Sequence, residues 1–336
     1  MRRSHVTLAQ ALERDALCAA VWRAARGKRA QPGVQRFLSS VEEQVALLRD
    51  DVLGGRWNPG PPTRFQIRDP KPRWIEAPPF RERVLHHALV AVMEPRVEQA
   101  LSDSSFACRR GKGGLAAVKC VQRRLRRQAW YIQVDVRAYF ASINHAVLLG
   151  QLGTLFRDQD MLALIQRLLQ AHGPKRGQGL PIGALTSQLF ANLYLAPLDR
   201  YLEQAQGVAG MVRYMDDVVW WLEGSKAPDR KASLQAARDF ARRNLGLELH
   251  RAKIQRSSNG ITYVGYRIHR DRLLATTRRR HRYRRARRHW EHEFQNGEVG
   301  SRGLQAGAGA ALAILAHTRS RALRRRDLEW RPPIDA

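Results

Sequence analysis

The stretch "RYMDDVVWW", residues 213–221, sets Asp216 and Asp217 side by side between two apolar runs. Val212 and Tyr214 before them and Val218 and Val219 after them read as two short strands, with the acids at or beside a hairpin turn. Alone, an Asp-Asp pair is most simply a solvated turn. A second apolar strand argues otherwise. In "WYIQVDVRAYF" (130–140), Ile132, Val134 and Val136 point one way and Gln133 and Asp135 the other. Burying several carboxylates together without cations costs several kcal/mol. Asp135, Asp216 and Asp217 therefore read as the oxygen donors of a divalent-metal site.

Charge points to the substrate. Lys and Arg number 59 against 30 Asp and Glu, a formal charge of +29, and a polyphosphate is the partner that such an excess fits. No stretch reaches the roughly 18 uncharged apolar residues of a spanning helix, so no membrane role is expected. Glu13, Arg14 and Asp15 interrupt any signal-peptide core. Three scattered cysteines, Cys18, Cys108 and Cys120, fit a reduced, cytoplasmic setting.

The remaining pattern is mixed. Leu38, Val41, Val45 and Leu48 read as one amphipathic helix, closed by "NPGPP" at 58–62. Further helical patterns run through Val84–Val92, 146–170 and 229–244, and from the loop "GPKRGQGLPIG" (173–183) into Leu185, Leu189 and Leu193. "GITYVGYRIH" (260–269) reads as one strand. "RRRHRYRRARR" (278–288) holds eight arginines, and an Ala/Leu-rich helix with a basic end follows. "RRGKGG" (109–114) lacks phosphate-loop spacing. His86 and His87 are adjacent on a helix and do not share a face for zinc.

Taken together, these motifs resemble reverse transcriptases. "YMDD" (214–217) resembles their catalytic hairpin, "VDVRAYFASI" (134–143) their first aspartate motif and "LPIGALTSQLFANLYLAPLD" (180–199) their Gly-led helix. "LGLELHRAKIQ" (245–255) resembles the lysine-bearing motif, and "GITYVGYRI" the strand before the thumb. The resemblance implies an α+β right-hand polymerase with fingers, a palm with an antiparallel sheet, and an α-helical thumb. The expected division is an N-terminal helical extension at 1–57, fingers at 58–130, palm at 131–270 (with a fingers segment around 146–182) and a basic thumb at 271–336. The subgroup resembled is that of diversity-generating retroelements, through "RDPKPRWIEAPPFRERVLHHAL" (68–89), "SDSSFACRRGKGGLAAV" (102–118) and "PIGALTSQ" (181–188). Most reverse transcriptases have glutamine where this chain has Ile182, and Ser-Pro where it has Ser187-Gln188.

That resemblance implies an RNA-directed DNA polymerase that copies a template-repeat RNA into cDNA with errors at template adenines. It implies dNTPs as substrates, an RNA/cDNA duplex, a small helical pentameric accessory protein, and a bacterial or phage origin. Two Mg²⁺ ions, with Mn²⁺ as a substitute, would be held by Asp135, Asp216, Asp217 and the Val136 carbonyl. Lys253 matches the general acid to the departing pyrophosphate, and Phe140 a steric gate against a 2′-hydroxyl. Lys71, Arg73, Arg81, Ile182 and Gly183 match nucleotide contacts, with Ile182 and Arg73 bearing on fidelity. Arg109, Arg110 and Lys112 in the fingers, and Arg278, Arg279, Arg280, Arg284, Arg285, Arg287 and Arg288 in the thumb, are expected on nucleic acid. Two rival readings are an intron-type or phage-defence reverse transcriptase and a silent RNA-binding scaffold. About 65 residues after position 269 suit a thumb better than an added DNA-binding or endonuclease domain.

Overall fold

The computed structural model describes residues 3–68, 72–171, 177–205, 207–223 and 227–332. Four helices open the chain: α1 (Leu8–Ala11), α2 (Arg14–Ala25), α3 (Pro32–Leu38) and α4 (Val41–Leu53). The single helix expected through Leu38 and Leu48 is two. Ser39 Oγ donates to the Arg36 carbonyl at 2.9 Å, and the chain leaves the helical region at Ser40 (φ −143°). Such local serine bonds compete with the helical ladder. A hairpin of β1 (Thr63–Arg68) and β2 (Pro72–Ala77) follows, solvent-exposed along all of β1. Then come α5 (Phe80–Ala100) and α6 (Gly114–Arg127). Leu12, Leu17, Val21, Leu48 and Trp57 join one core with Val84, Leu85 and Leu89 of α5. The N-terminal helices thus brace α5 and do not stand apart.

The centre is built from β3 (Trp130–Val136), α7 (Tyr139–Ser142), α8 (His145–Leu155), α9 (Gln159–Ala171), α10 (Leu185–Tyr194) and α11 (Ala196–Gln204). It continues with β4 (Val208–Tyr214), β5 (Asp217–Leu222), α12 (Ala227–Leu245) and β6 (Leu249–Arg256). The helical pattern at 146–170 is two helices, α8 and α9. The four strands pair antiparallel in the order β4-β5-β3-β6. Alternation sends Ile132, Val134, Val218 and Trp220 into the main core. Tyr131, Val212, Val219 and Trp221 pack on the opposite face against Val118, Val121 and Leu125 of α6. Further along that second face, Gln133 and Asp135 remain half-buried. The edge of β4 is covered: Arg213 N donates to the Ser104 carbonyl (2.8 Å) and Phe106 N to the Arg213 carbonyl (2.9 Å).

The strand expected at 260–269 is a hairpin, β7 (Ile261–Tyr263) and β8 (Tyr266–Ile268), extended by β9 (Leu273–Ala275). Its two-residue loop, Val264–Gly265, has positive φ at both positions (45° and 73°), the geometry that a tight hairpin needs. Valine is rare there, which is why the turn is silent in the sequence. Helices α13 (Thr277–Gln295), α14 (Ser301–Ala313) and α15 (Arg321–Trp330) complete the chain, so the C-terminal Ala/Leu-rich helix is in fact two. No helix among the described residues is long and apolar enough to cross a membrane.

Candidate active site

Asp135 and Asp217 are direct cross-strand partners of β3 and β5, so their side chains share the second face. Asp216 lies in the two-residue turn between Tyr214 and Asp217, and its carbonyl accepts from Val136 N at 3.2 Å. Met215, the other turn residue, has φ 56°, a left-handed conformation that a side chain disfavours. The strain is held from below. The guanidinium of Arg213, fully buried, donates to both oxygens of Asp199 (2.7–2.9 Å), to Asn192 Oδ1 and its carbonyl, and to the Met215 carbonyl (3.2 Å). One arginine therefore ties the Met215–Asp216 turn to α10 and α11.

Three neighbours surround the acids. Gln133 Nε2 donates to Asp217 Oδ1 (3.0 Å) and to the Thr262 carbonyl (3.3 Å), linking the acid to β7. Tyr263 O–H donates to the Asp217 carbonyl at 3.0 Å. Arg251 Nη1 stands 3.6 Å from Asp135 Oδ2. It gets there through a bulge: between the pairs Gln133–Lys253 and Asp135–His250, β6 carries one extra residue, and Arg251 takes φ 52°. Burial, then the charge of Asp135 and a hydrogen bond with it, push Asp216 up to about 6, and Arg73 opposes this weakly. Burial pushes Asp217 up to about 7, opposed by the Gln133 hydrogen bond and more weakly by Lys253. Arg73 and Lys253 are thus within electrostatic reach of the acids.

The donor set fits a divalent cation. The charge of Asp135 bears on Asp216, and buried acids with raised proton affinity hold charge that a hard cation would relieve. Among the described residues, no group of three His, Cys, Asp or Glu side chains converges as a ready-made cage. Asp217 is turned toward Gln133, and a pair of carboxylates completed by substrate oxygens is the usual setting for Mg²⁺.

A cavity of about 520 Å³ is lined by Arg64, Trp74, Glu76, Phe140, Leu180 and Ile182, Phe140 lying five residues after Asp135. Tyr139 O–H donates to the Ala191 carbonyl and anchors α7, which carries Phe140. Glu76 N donates to the Ile182 carbonyl at 2.8 Å, tying the hairpin to the loop. Gly183 (φ 138°) is required there because a Cβ would sit 2.5 Å from the Glu76 carbonyl oxygen. The close approach that the glycine permits is to β2 itself.

Other expected residues lie elsewhere. Lys71 falls outside the described residues. The guanidinium of Arg81 pairs with Asp51 (2.6 Å) and the Leu47 carbonyl, bracing α4. Arg109 is not presented to nucleic acid; its side chain is 4% exposed, pairing with Glu98 and donating to the Ser102 and Ser105 carbonyls. Lys112 bonds Asp103 over the Phe106 ring, and only Arg110 of that loop is broadly exposed. In the arginine run, Arg279 stacks on Tyr266 (3.8 Å), Arg284 pairs with Asp327 (2.7 Å) and Arg287 with Glu291 (2.6 Å). Arg278, Arg280 and Arg284 also line a cavity of about 570 Å³ with Arg267, Arg319 and Arg326. Arg285 and Arg288 are exposed.

A strand-centred antiparallel sheet with acids from two adjacent strands at one end defines a nucleotidyl-transferring polymerase palm. Residues 67–268 match the reverse transcriptase (RNA-dependent DNA polymerase) family, and the chain belongs to it. Protein YkfC of Escherichia coli is 24% identical over 279 residues, covering 68% of this chain and 72% of its own length. The group II intron-encoded protein LtrA of Lactococcus lactis is 27% identical over 172 residues, covering 48% of this chain but 29% of its own. The apo telomerase of Candida tropicalis, at 11% identity, shares the fold over 82% of this chain and 62% of its own, with a TM-score of 0.51.

Proposed function

We propose that this reverse transcriptase copies a retroelement's template-repeat RNA into cDNA with reduced fidelity at adenines, for diversification of a target gene. The observation that carries the reading is Ile182. Its aliphatic side chain lines the cavity beside Phe140, where most reverse transcriptases carry a glutamine. A glutamine can hydrogen-bond the incoming sugar and fix the base pair; isoleucine offers no such donor. Losing one such bond is worth about 1 kcal/mol, a several-fold drop in selectivity. Ile182→Gln is expected to lower misincorporation opposite template adenine several-fold in primer extension. Unchanged error at adenine would remove the basis for the mutagenic reading.

In the proposed chemistry, Asp135 and Asp216 hold divalent ions, with the Val136 carbonyl beside them. Bound ions would supply positive charge to the triphosphate and acidify the primer's 3′-hydroxyl. Asp217, fixed by Gln133, orients the site. Arg73 from the hairpin faces the phosphates, Lys253 protonates the departing pyrophosphate, and Phe140 excludes a 2′-hydroxyl. Template RNA, the growing RNA/cDNA duplex, dNTPs and a small helical accessory protein are the partners. Loss of extension on a primed RNA template with Mg²⁺ in Asp216→Ala, against an active parent, tests the catalytic assignment and the silent-scaffold alternative together.

A second reading, an intron-linked reverse transcriptase, is favoured by the match to LtrA. The flanking DNA separates the two. A template repeat that differs from a neighbouring variable repeat only at adenines supports the first, and intron boundaries support the second.

A further inference from the structure

From Ser104 to Val134 the chain has eight Lys and Arg and no acid, and α6 concentrates them. Ala117, Val118, Val121 and Leu125 bury one side of this helix. Lys119, Arg123, Arg126 and Arg127 lie exposed on the other, at spacings of three and four residues. Among the described residues, the side chains of Lys119, Arg123 and Arg127 make no hydrogen bond or ion pair. Like charges at i and i+4 weaken a helix, and this ridge has two such pairs, 119–123 and 123–127. The helix dipole favours cations in the last turn only, which leaves Lys119 and Arg123 unexplained.

The C-terminal end of the ridge is set back from the acids. Arg124 Nη1 donates to the Ala209 carbonyl (2.6 Å) near the start of β4, and four strand residues, about 13 Å, separate Gly210 from Tyr214 at the edge of the turn. The helix is locked in place there. Gln122 Nε2 donates to the His269 carbonyl (2.9 Å), Arg126 Nε to the Arg270 carbonyl (2.6 Å) and Arg270 Nε to the Leu125 carbonyl (3.0 Å). Those bonds bring Arg270 beside the ridge.

We propose that the exposed face of α6 is a second nucleic-acid surface, separate from the catalytic cleft, that holds a double-stranded stem of RNA by its phosphates. Lys119 to Arg127 rises about 12 Å, the span of three to four successive phosphates on one strand. No large exposed apolar side chain lies on α6, so the face lacks the anchors of a protein interface. The proposal rests only on the RNA-binding part of the reading above, not on the mutagenic part.

The test uses a 20-base-pair RNA hairpin with no primer terminus. The full chain is compared with a Lys119→Gln/Arg123→Gln/Arg127→Gln variant and with an Arg36→Gln/Arg49→Gln/Arg243→Gln variant of the same net charge. Hairpin binding by the first variant is expected to weaken about tenfold near 0.1 M salt, and its log–log salt slope to fall by about three. The second variant should keep its slope, and both should extend a short primed template at the parent rate. Equal losses in the two variants would show a bulk-charge effect and overturn the proposal. So would unchanged hairpin binding, which leaves an acidic protein as the ridge's partner. A parallel loss of short-template extension in the ridge variant would place the ridge in the cleft and overturn it as well.

Discussion

Two arginine–aspartate pairs, one under the Met215–Asp216 turn and one in the C-terminal helices, share a chemistry and differ in setting. Arg213 and Asp199 are both fully buried, and the same guanidinium reaches Asn192 and Met215. Arg284 is 45% exposed where it meets Asp327. Water already solvates much of the second pair, so its formation adds little; removing one member of the first leaves a charge with no solvent. The comparison teaches how much the setting of one chemistry matters: the pair under the acids is sealed from water, while the Arg284 pair of the outer helices stays partly hydrated.

The strongest way to break this contrast is Arg213→Leu. It is expected to cost about 3–5 kcal/mol in denaturant unfolding and to abolish extension, because Asp199 is stranded and the Met215 turn loses its support. Arg213→Leu/Asp199→Leu should recover much of the stability without the activity. Retained activity in the double variant would show that the turn needs no brace. A smaller effect comes from the acids themselves. Asp216 and Asp217 bind protons more tightly folded than unfolded, so their contribution is full below about pH 4 and lost as pH rises through about 6 and 7. In chelator, unfolding midpoints should fall between pH 5 and pH 8. Asp217→Asn should flatten that slope and stabilise the protein at pH 8 by about 2 kcal/mol. A slope unchanged in Asp217→Asn would contradict the burial of this carboxyl. The smallest effect is Arg284→Gln, expected at no more than about 1 kcal/mol and shrinking with salt. A loss comparable to that of Arg213 would erase the distinction.

Much of the centre was legible in the sequence because alternation is a local signal. Ile132, Val134 and Val136 announce β3, and the apolar flanks of Asp216 and Asp217 announce the hairpin. Signals failed where a break carries no special residue: Ser39–Ser40 between α3 and α4, and Val264 at a turn that normally takes Asn or Gly. The supports of the site were less visible. Gln133 meets Thr262 across 129 residues, and Arg251 reaches Asp135 only because β6 bulges, which no pattern encodes. Arg213 sits beside the motif that drew attention first, yet its role depends on Asp199, fourteen residues away. Among 59 basic residues, those used internally look like the rest, so no pattern in the sequence shows that Arg81 and Arg109 each brace a neighbouring helix.

The bulge at Arg251 has a bearing on self-association. A four-stranded sheet has two edges, and an exposed edge invites another chain to add a strand. Backbone from Ser104 to Phe106 already occupies the β4 edge. At the other edge, β6 breaks its ladder at Arg251 and carries Lys253 and Arg256 exposed. An irregular, cationic edge is a poor template for sheet growth, so the kink that aims a guanidinium at Asp135 also helps keep the molecule from polymerising with itself.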